Sequence, residues 1–171
     1  MKRLILILFV VSIVNSFAQT KLDYGIQFYH GTWKEACDKA KAENKLIFVD
    51  FYTQWCGPCL NMAENVFILP FIGDFYNTNF VNMKIDAENG EGVELAKRYG
   101  VNSYPTYVFV DPKNGDVVHQ SKSRQEAEQF LATGKSALVP ELRSGYLIEE
   151  FAKGRDDREF LKKIGRASCR E

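Results

Sequence analysis

Histidine and cysteine are scarce in this chain, with two of the first and four of the second in 171 residues. A structural zinc site usually needs four ligands, often supplied as two close pairs. His30, His119 and Cys37 stand alone in the sequence, so a zinc ion finds too few partners at ligand spacing. An excess of basic residues is also lacking. Between residues 19 and 163 there are 18 basic and 21 acidic side chains, a net charge of about −3. That balance offers nothing to attract nucleic acid or an anionic membrane surface. There is no internal repeat and no low-complexity stretch. A spanning helix needs roughly 20 apolar residues, and the N-terminal run Leu4 to Val14 has 11.

That short run belongs to another pattern. Lys2 and Arg3 precede it, and Ser16-Phe17-Ala18 follows it with small residues at the two positions a signal peptidase reads. Residues 1–18 therefore read as a secretory signal peptide cleaved after Ala18, with no stable membrane insertion afterwards. No cysteine follows the run, which leaves lipoprotein processing without an attachment site. At the other end, Ile164 to Glu171 reads IGRASCRE, like the translation of a sequencing-library adapter. The expectation is a non-native tail over 164–171 on a truncated chain, and Cys169 carries no functional argument.

The remaining 145 residues suit one domain with a sizeable core. Ile26 to Tyr29 reads as a short first strand. Thr32 with Glu35 forms a capping box for a helix to about Glu43, placing Trp33, Ala36, Cys37 and Ala40 on one face. KLIFVDFY reads as a central strand buried on both sides. A helix from Gly57 to Leu69 follows, with Pro70 just beyond it. FVNMKID is the next strand and GEGVELAKRYG a helix ending at Gly100. PTYVFVD and DVVHQS pair as a hairpin across PKNG, and Ser123 caps a helix through Ala132. Alternating strands and helices imply parallel crossovers, and the late hairpin adds antiparallel pairing. The result is an α/β fold, a mixed central sheet with helices on both faces, over residues 19–134. From 135 to 163 the sequence reads as the start of a helical extension, with Leu142, Tyr146 and Phe151 buried and Asp156 capping the helix that holds Phe160.

Cys56 and Cys59 carry the chemistry, in FVDFYTQWCGPCL. Zinc lacks further ligands. A structural bridge over two intervening residues removes little chain entropy. A redox pair explains more residues. The cysteines lie where a buried strand gives way to a helix, whose N-terminus offers free N–H groups and partial positive charge. Both favour a thiolate on Cys56, the reactive form. Pro58 sits in the first turn, where a missing N–H costs nothing, and Gly57 lets the backbone turn and leaves the sulfur open. Cys56 would attack a substrate disulfide and Cys59 would resolve the mixed disulfide. Asp50, on the buried strand, is the candidate base for Cys59, its pKa raised by desolvation. Cys37 reads as a small buried hydrophobe, and both histidines read as ordinary surface or core residues.

VDFYTQWCGPC resembles the active-site segment of thioredoxins, including Asp50, Trp55 and the Gly-Pro between the cysteines. YGVNSYPTYVFVD and KNGDVV resemble the later thioredoxin segments, and the likeness covers about residues 26–133. The resemblance implies a thioredoxin fold and a thiol–disulfide oxidoreductase whose only cofactor is its own Cys56–Cys59 disulfide. It implies that Pro105 is cis beside the cysteines, leaving the Tyr104 backbone to pair with a substrate strand. Trp55 and Tyr104 would form the apolar rim. Leu60, Glu64 and Asn82 depart from the thioredoxin pattern, and Lys84 is placed to substitute for the lysine that Asn82 replaces. The stretch from Met62 to Asp86 looks more like exported thioredoxin-like proteins, including the periplasmic domain of membrane thiol reductases. The expected activity is reduction of protein disulfides in the periplasm, with electrons from a membrane thiol donor. A disulfide oxidase or isomerase is the alternative, as is a binding module whose helical extension recruits a partner.

Overall fold

The computed structural model describes residues 24–167; the expected signal segment, residues 1–18, lies outside the described residues, as do residues 19–23 and 168–171. Its elements are α1 (Trp33–Glu43), β1 (Leu46–Tyr52), α2 (Gly57–Asn65), α3 (Pro70–Asn79), β2 (Phe80–Asp86), α4 (Gly92–Arg98), β3 (Thr106–Val110), β4 (Val117–Lys122) and α5 (Ala127–Leu138), then a 3-10 turn (Pro140–Leu142), α6 (Ser144–Ala152) and α7 (Arg158–Ala167). The strands lie in the order β2-β1-β3-β4. β1 runs parallel to β2 and antiparallel to β3, and β3 pairs antiparallel with β4. The sheet is mixed, as the strand–helix order implies.

β1 is central because its sequence is apolar on both faces. Ile47, Val49 and Phe51 pack with Ala36 and Ala40 of α1 and Leu95 and Ala96 of α4. Phe48 points the other way, into a cluster with Met62, Ile72, Tyr76, Phe109 and Phe130 from α2, α3, β3 and α5. Strand side chains alternate between faces, so Asp50 falls on the Phe48 side, under α2. The capping box at Thr32 and Glu35 forms as the sequence predicts, and Asn44 closes α1 in the left-handed conformation at φ 51°.

Several boundaries differ from expectation. The helix expected over Gly57–Leu69, α2, stops at Asn65, residues 66–69 form a turn, and a second helix not expected from the sequence, α3, opens at Pro70. Proline suits the first turn of a helix, where its missing N–H costs no hydrogen bond, and it holds the residue before it extended; Leu69 sits at φ −71°, ψ 133°. Ile26–Tyr29 makes one parallel bridge, Phe28 to Asn82, rather than a strand. Tyr29 N–H donates to the Asn82 carbonyl of β2 at 2.7 Å, but the earlier donors go elsewhere: Ile26 N–H to the Phe67 carbonyl at 2.8 Å and Gln27 N–H to Asn77 Oδ1 at 2.8 Å. Ser123 caps nothing, since it lies at φ 70° and donates its N–H to the Pro105 carbonyl. An N-cap needs extended backbone, which Glu126 supplies before α5.

α5 continues through Gly134 to Leu138, so the boundary expected after residue 134 falls inside a helix. A side chain at Gly134 would come within 2.9 Å of the Tyr76 ring, so glycine lets α5 cross α3 closely. The helical hairpin beyond it lies on β4. Ser144 N–H donates to His119 Nδ1 at 2.9 Å, and Gln120 N–H donates to Ser144 Oγ at 2.9 Å. Leu147 and Phe160 are its buried side chains, whereas Phe151 is exposed and Leu142 and Tyr146 are half-buried. Asp157, one residue later than expected, caps α7 by accepting the Phe160 N–H at 3.0 Å. Ile164 to Ala167, the start of the expected non-native tail, continue that helix.

Candidate active site

Cys56 is the residue immediately before α2, in extended backbone, and Cys59 lies one turn along the helix. The two are joined by a disulfide, and the Cys59 N–H donates to Cys56 Sγ at 3.1 Å. That contact uses one of the free N–H groups at the helix start, the arrangement that favours a thiolate when the bridge opens. Pro58 sits in the first turn. Gly57 does not take a left-handed conformation, so the sharp turn expected of it is not needed. A methyl group there would meet nothing within 4 Å, which leaves the surface around Cys56 open.

Asp50 is completely buried, and neither of its oxygens has a hydrogen-bond partner. Its register partner on β2 is Lys84, whose Nζ stands 3.8 Å from Oδ2. That separation is too long for a hydrogen bond and leaves an ionic contact. Burial pushes the Asp50 carboxyl up to about 7, with the Lys84 ammonium pulling back against it. Lys84 also lies over the Tyr52 ring at 4.8 Å. Asn82 instead pairs with Phe48 and donates to Asn77 Oδ1 at 3.0 Å, so Lys84 alone of these two meets Asp50.

The Tyr104–Pro105 peptide is cis. The Tyr104 ring meets Trp55 edge to face, centroids 5.9 Å apart. Trp55 is 71% exposed, and its Nε1–H donates to Glu88 Oε2 at 2.9 Å. Glu88 is a rim residue that sequence reasoning missed. Asp86 arranges its loop by accepting from the Glu88 N–H, Asn89 Nδ2 and Gln54 Nε2. The acidic run DAENGE, which begins at the last residue of β2, marks the loop but not which of its carboxylates meets Trp55.

A cleft of about 240 Å³ opens beside the disulfide, lined by Trp55, Cys56, Cys59, Leu60, Ala63 and Lys84 among others. Leu60, where thioredoxins usually carry lysine, makes its wall apolar. A larger groove of about 390 Å³ lies between Lys45, Asp111 and Arg143 and includes none of the site residues. The redox chemistry places the site at the smaller cleft. Glu64 is exposed on α2 away from these contacts, and Cys37 is half-buried against the Trp33 side of the core, where burial raises its thiol pKa. His30 is exposed, whereas His119 is a buried core residue.

Known proteins are similar to this chain in sequence and fold. Thioredoxin-1 of Drosophila yakuba is 46% identical over 69 residues, which is 40% of this chain and 60% of that protein. The chain therefore spans less than two thirds of that relative's length. The solution structure of a candidate disulphide-isomerase from Bacteroides thetaiotaomicron is 41% identical with a TM-score of 0.61, covering 68% of this chain and 95% of its own. The reduced C-terminal domain of Neisseria meningitidis DsbD is 25% identical with a TM-score of 0.51, covering 61% of this chain and 92% of its own. Thioredoxin-like proteins that carry a Cys-x-x-Cys pair are thiol–disulfide oxidoreductases. Residues 33–138 match the thioredoxin-like domain, and the chain belongs to the thioredoxin-like family.

Proposed function

We propose that the protein is an exported thiol–disulfide oxidoreductase that reduces disulfides in protein substrates through Cys56 and Cys59. The observation that carries this reading is the cysteine pair at the start of α2 above a buried carboxylate poised near 7. In the reduced enzyme the Cys56 thiolate attacks one substrate sulfur, and the other substrate sulfur leaves as a thiolate. Ionised Asp50 takes the proton from Cys59. The Cys59 thiolate then attacks Cys56 Sγ and expels the second substrate thiolate. Two electrons pass to the substrate, and the enzyme ends as the Cys56–Cys59 disulfide. A substrate segment lies extended along Tyr104, next to the cis Pro105.

Regeneration needs an outside dithiol. A bacterial periplasm is kept oxidising, so export requires a membrane thiol donor. The likeness to a DsbD domain supports a place in such a relay. Export itself rests on the signal segment before Gln19. Cys56→Ser should abolish reduction of insulin disulfides, and Cys59→Ala should accumulate mixed disulfides through Cys56. A retained rate in Cys56→Ser would sink the assignment. The likeness to a candidate disulphide-isomerase supports the isomerase alternative. A reduction potential near about −120 mV, typical of strong oxidants, instead of about −270 mV, would exclude a reductase.

A further inference from the structure

We propose that Trp55 and Glu88 together form a subsite for a cationic side chain, arginine above all, lying close to the disulfide that the enzyme attacks. The proposal rests on the oxidoreductase reading and names a substrate class for it. Trp55 precedes Cys56 directly and presents an indole that is 71% exposed. Its Nε1–H holds Glu88 Oε2 at 2.9 Å, which fixes the carboxylate at the ring's edge and leaves Oε1 open. The other charged groups near this end of the sheet already have partners. Asp86 accepts from the Glu88 N–H and Asn89 Nδ2 of its own loop and from Gln54 Nε2 before α2, and Glu91 accepts the Trp33 N–H. Lys84 faces Asp50. Among the described residues, Glu88 is thus a carboxylate in no ion pair, fastened to an exposed indole.

Those two features complement a guanidinium. Its plane stacks on an indole face, and its N–H fork donates to a carboxylate at the ring's edge. An ammonium satisfies the charge without the stacking geometry. Because Trp55 is adjacent to Cys56, the cation sits within a residue or two of the attacked cysteine. An extended chain advances only about 3.3 Å per residue. A substrate with a carboxylate at that position meets Glu88 as a like charge.

The test compares two disulfide-linked peptides that differ only by arginine or citrulline next to the cysteine, using the full chain at low ionic strength. Citrulline keeps the shape and removes the charge. We expect kcat/KM to favour the arginine peptide by about two- to fivefold, the range of exposed cation–π contacts, and the preference to shrink in high salt. Glu88→Gln keeps an acceptor for Trp55 and should bring the ratio close to one. Glu94→Gln removes the same charge from α4 and should keep the wild-type ratio. Equal turnover of the two peptides by the wild type, an unchanged ratio in Glu88→Gln, or a ratio lost equally in Glu94→Gln overturns the subsite alone. No turnover of either peptide overturns the oxidoreductase reading and the subsite with it.

Discussion

Asp50 has no exposed atom, no hydrogen bond to either oxygen, and one ammonium 3.8 Å away. Ionising it inside the fold is costly, and this sets a pH dependence. Its carboxyl moves from 3.8 to about 7 on burial. Between those values the unfolded chain has released the proton and the folded chain still holds it. Stability is therefore lost as pH rises from about 4 to 7, by up to an amount on the order of 4 kcal/mol. Asp50→Asn should be more stable than the wild type at pH 8, with the difference vanishing below pH 4 in urea titrations; equal midpoints at pH 8 would mean the carboxylate is solvated. The same residue should slow resolution of the mixed disulfide, and wild-type turnover should fall as pH drops through about 7. Lys84→Met removes the charge that favours ionised Asp50, so that midpoint should move upward. Asp50, Cys56 and Cys59 were legible because each owes its place to one segment's pattern, whereas the role of Pro105 came only with the family resemblance. Glu88 was not legible, because its role depends on where the Trp55 ring turns.

Elements were legible where a signal has one meaning. KLIFVDFY is apolar on both sides, and a strand buried on both faces is the simple outcome. The Thr32–Glu35 box and Gly100 likewise mark a start and a stop. Pro70 has two meanings, since proline both ends one helix and opens the next. Only the packing of Ile72 and Tyr76 into the core identifies the following segment as α3. The two interpretations predict opposite effects of Pro70→Ala. If proline merely interrupted a longer helix, alanine would let α2 run on and stabilise the chain. As the first residue of α3, proline limits the unfolded chain, and alanine should cost about 0.4–1 kcal/mol with the helical circular dichroism unchanged. A gain in stability with more helix would defeat the two-helix account. Ser123 was misread for a related reason. A serine before an apolar run looks like a cap, but its N–H is held by the Pro105 carbonyl.

At the scale of the whole molecule, the helical hairpin after Leu138 completes the edge of the sheet. β4 is an edge strand, and Gln120 N–H would face outward without Ser144 Oγ. Leu147 and Phe160 are 3% and 1% exposed. Burying each is worth about 1.5–3 kcal/mol. A chain ending at Leu138 should therefore lose roughly 3–6 kcal/mol at pH 7.5 and leave an open edge prone to pairing. Among the described residues, none of the hairpin's hydrogen bonds goes to Cys56, Cys59, Asp50 or Pro105, so the shortened chain should still reduce insulin at low temperature. The hairpin's contribution should also depend on pH. Burial lowers His119 to about 4, and Arg143, from the hairpin side, pushes it the same way. Its Nδ1 must be unprotonated to accept the Ser144 N–H. The stabilisation is thus whole above pH 6.5 and is lost as pH falls through 4, by up to an amount on the order of 3 kcal/mol. The shortened chain lacks the Ser144 N–H and the Arg143 charge that face His119, and so carries less of this penalty. Urea midpoints of the full and shortened chains should therefore converge between pH 6.5 and 4. A gap that stays constant over that range would show that His119 is not what couples the hairpin to the sheet.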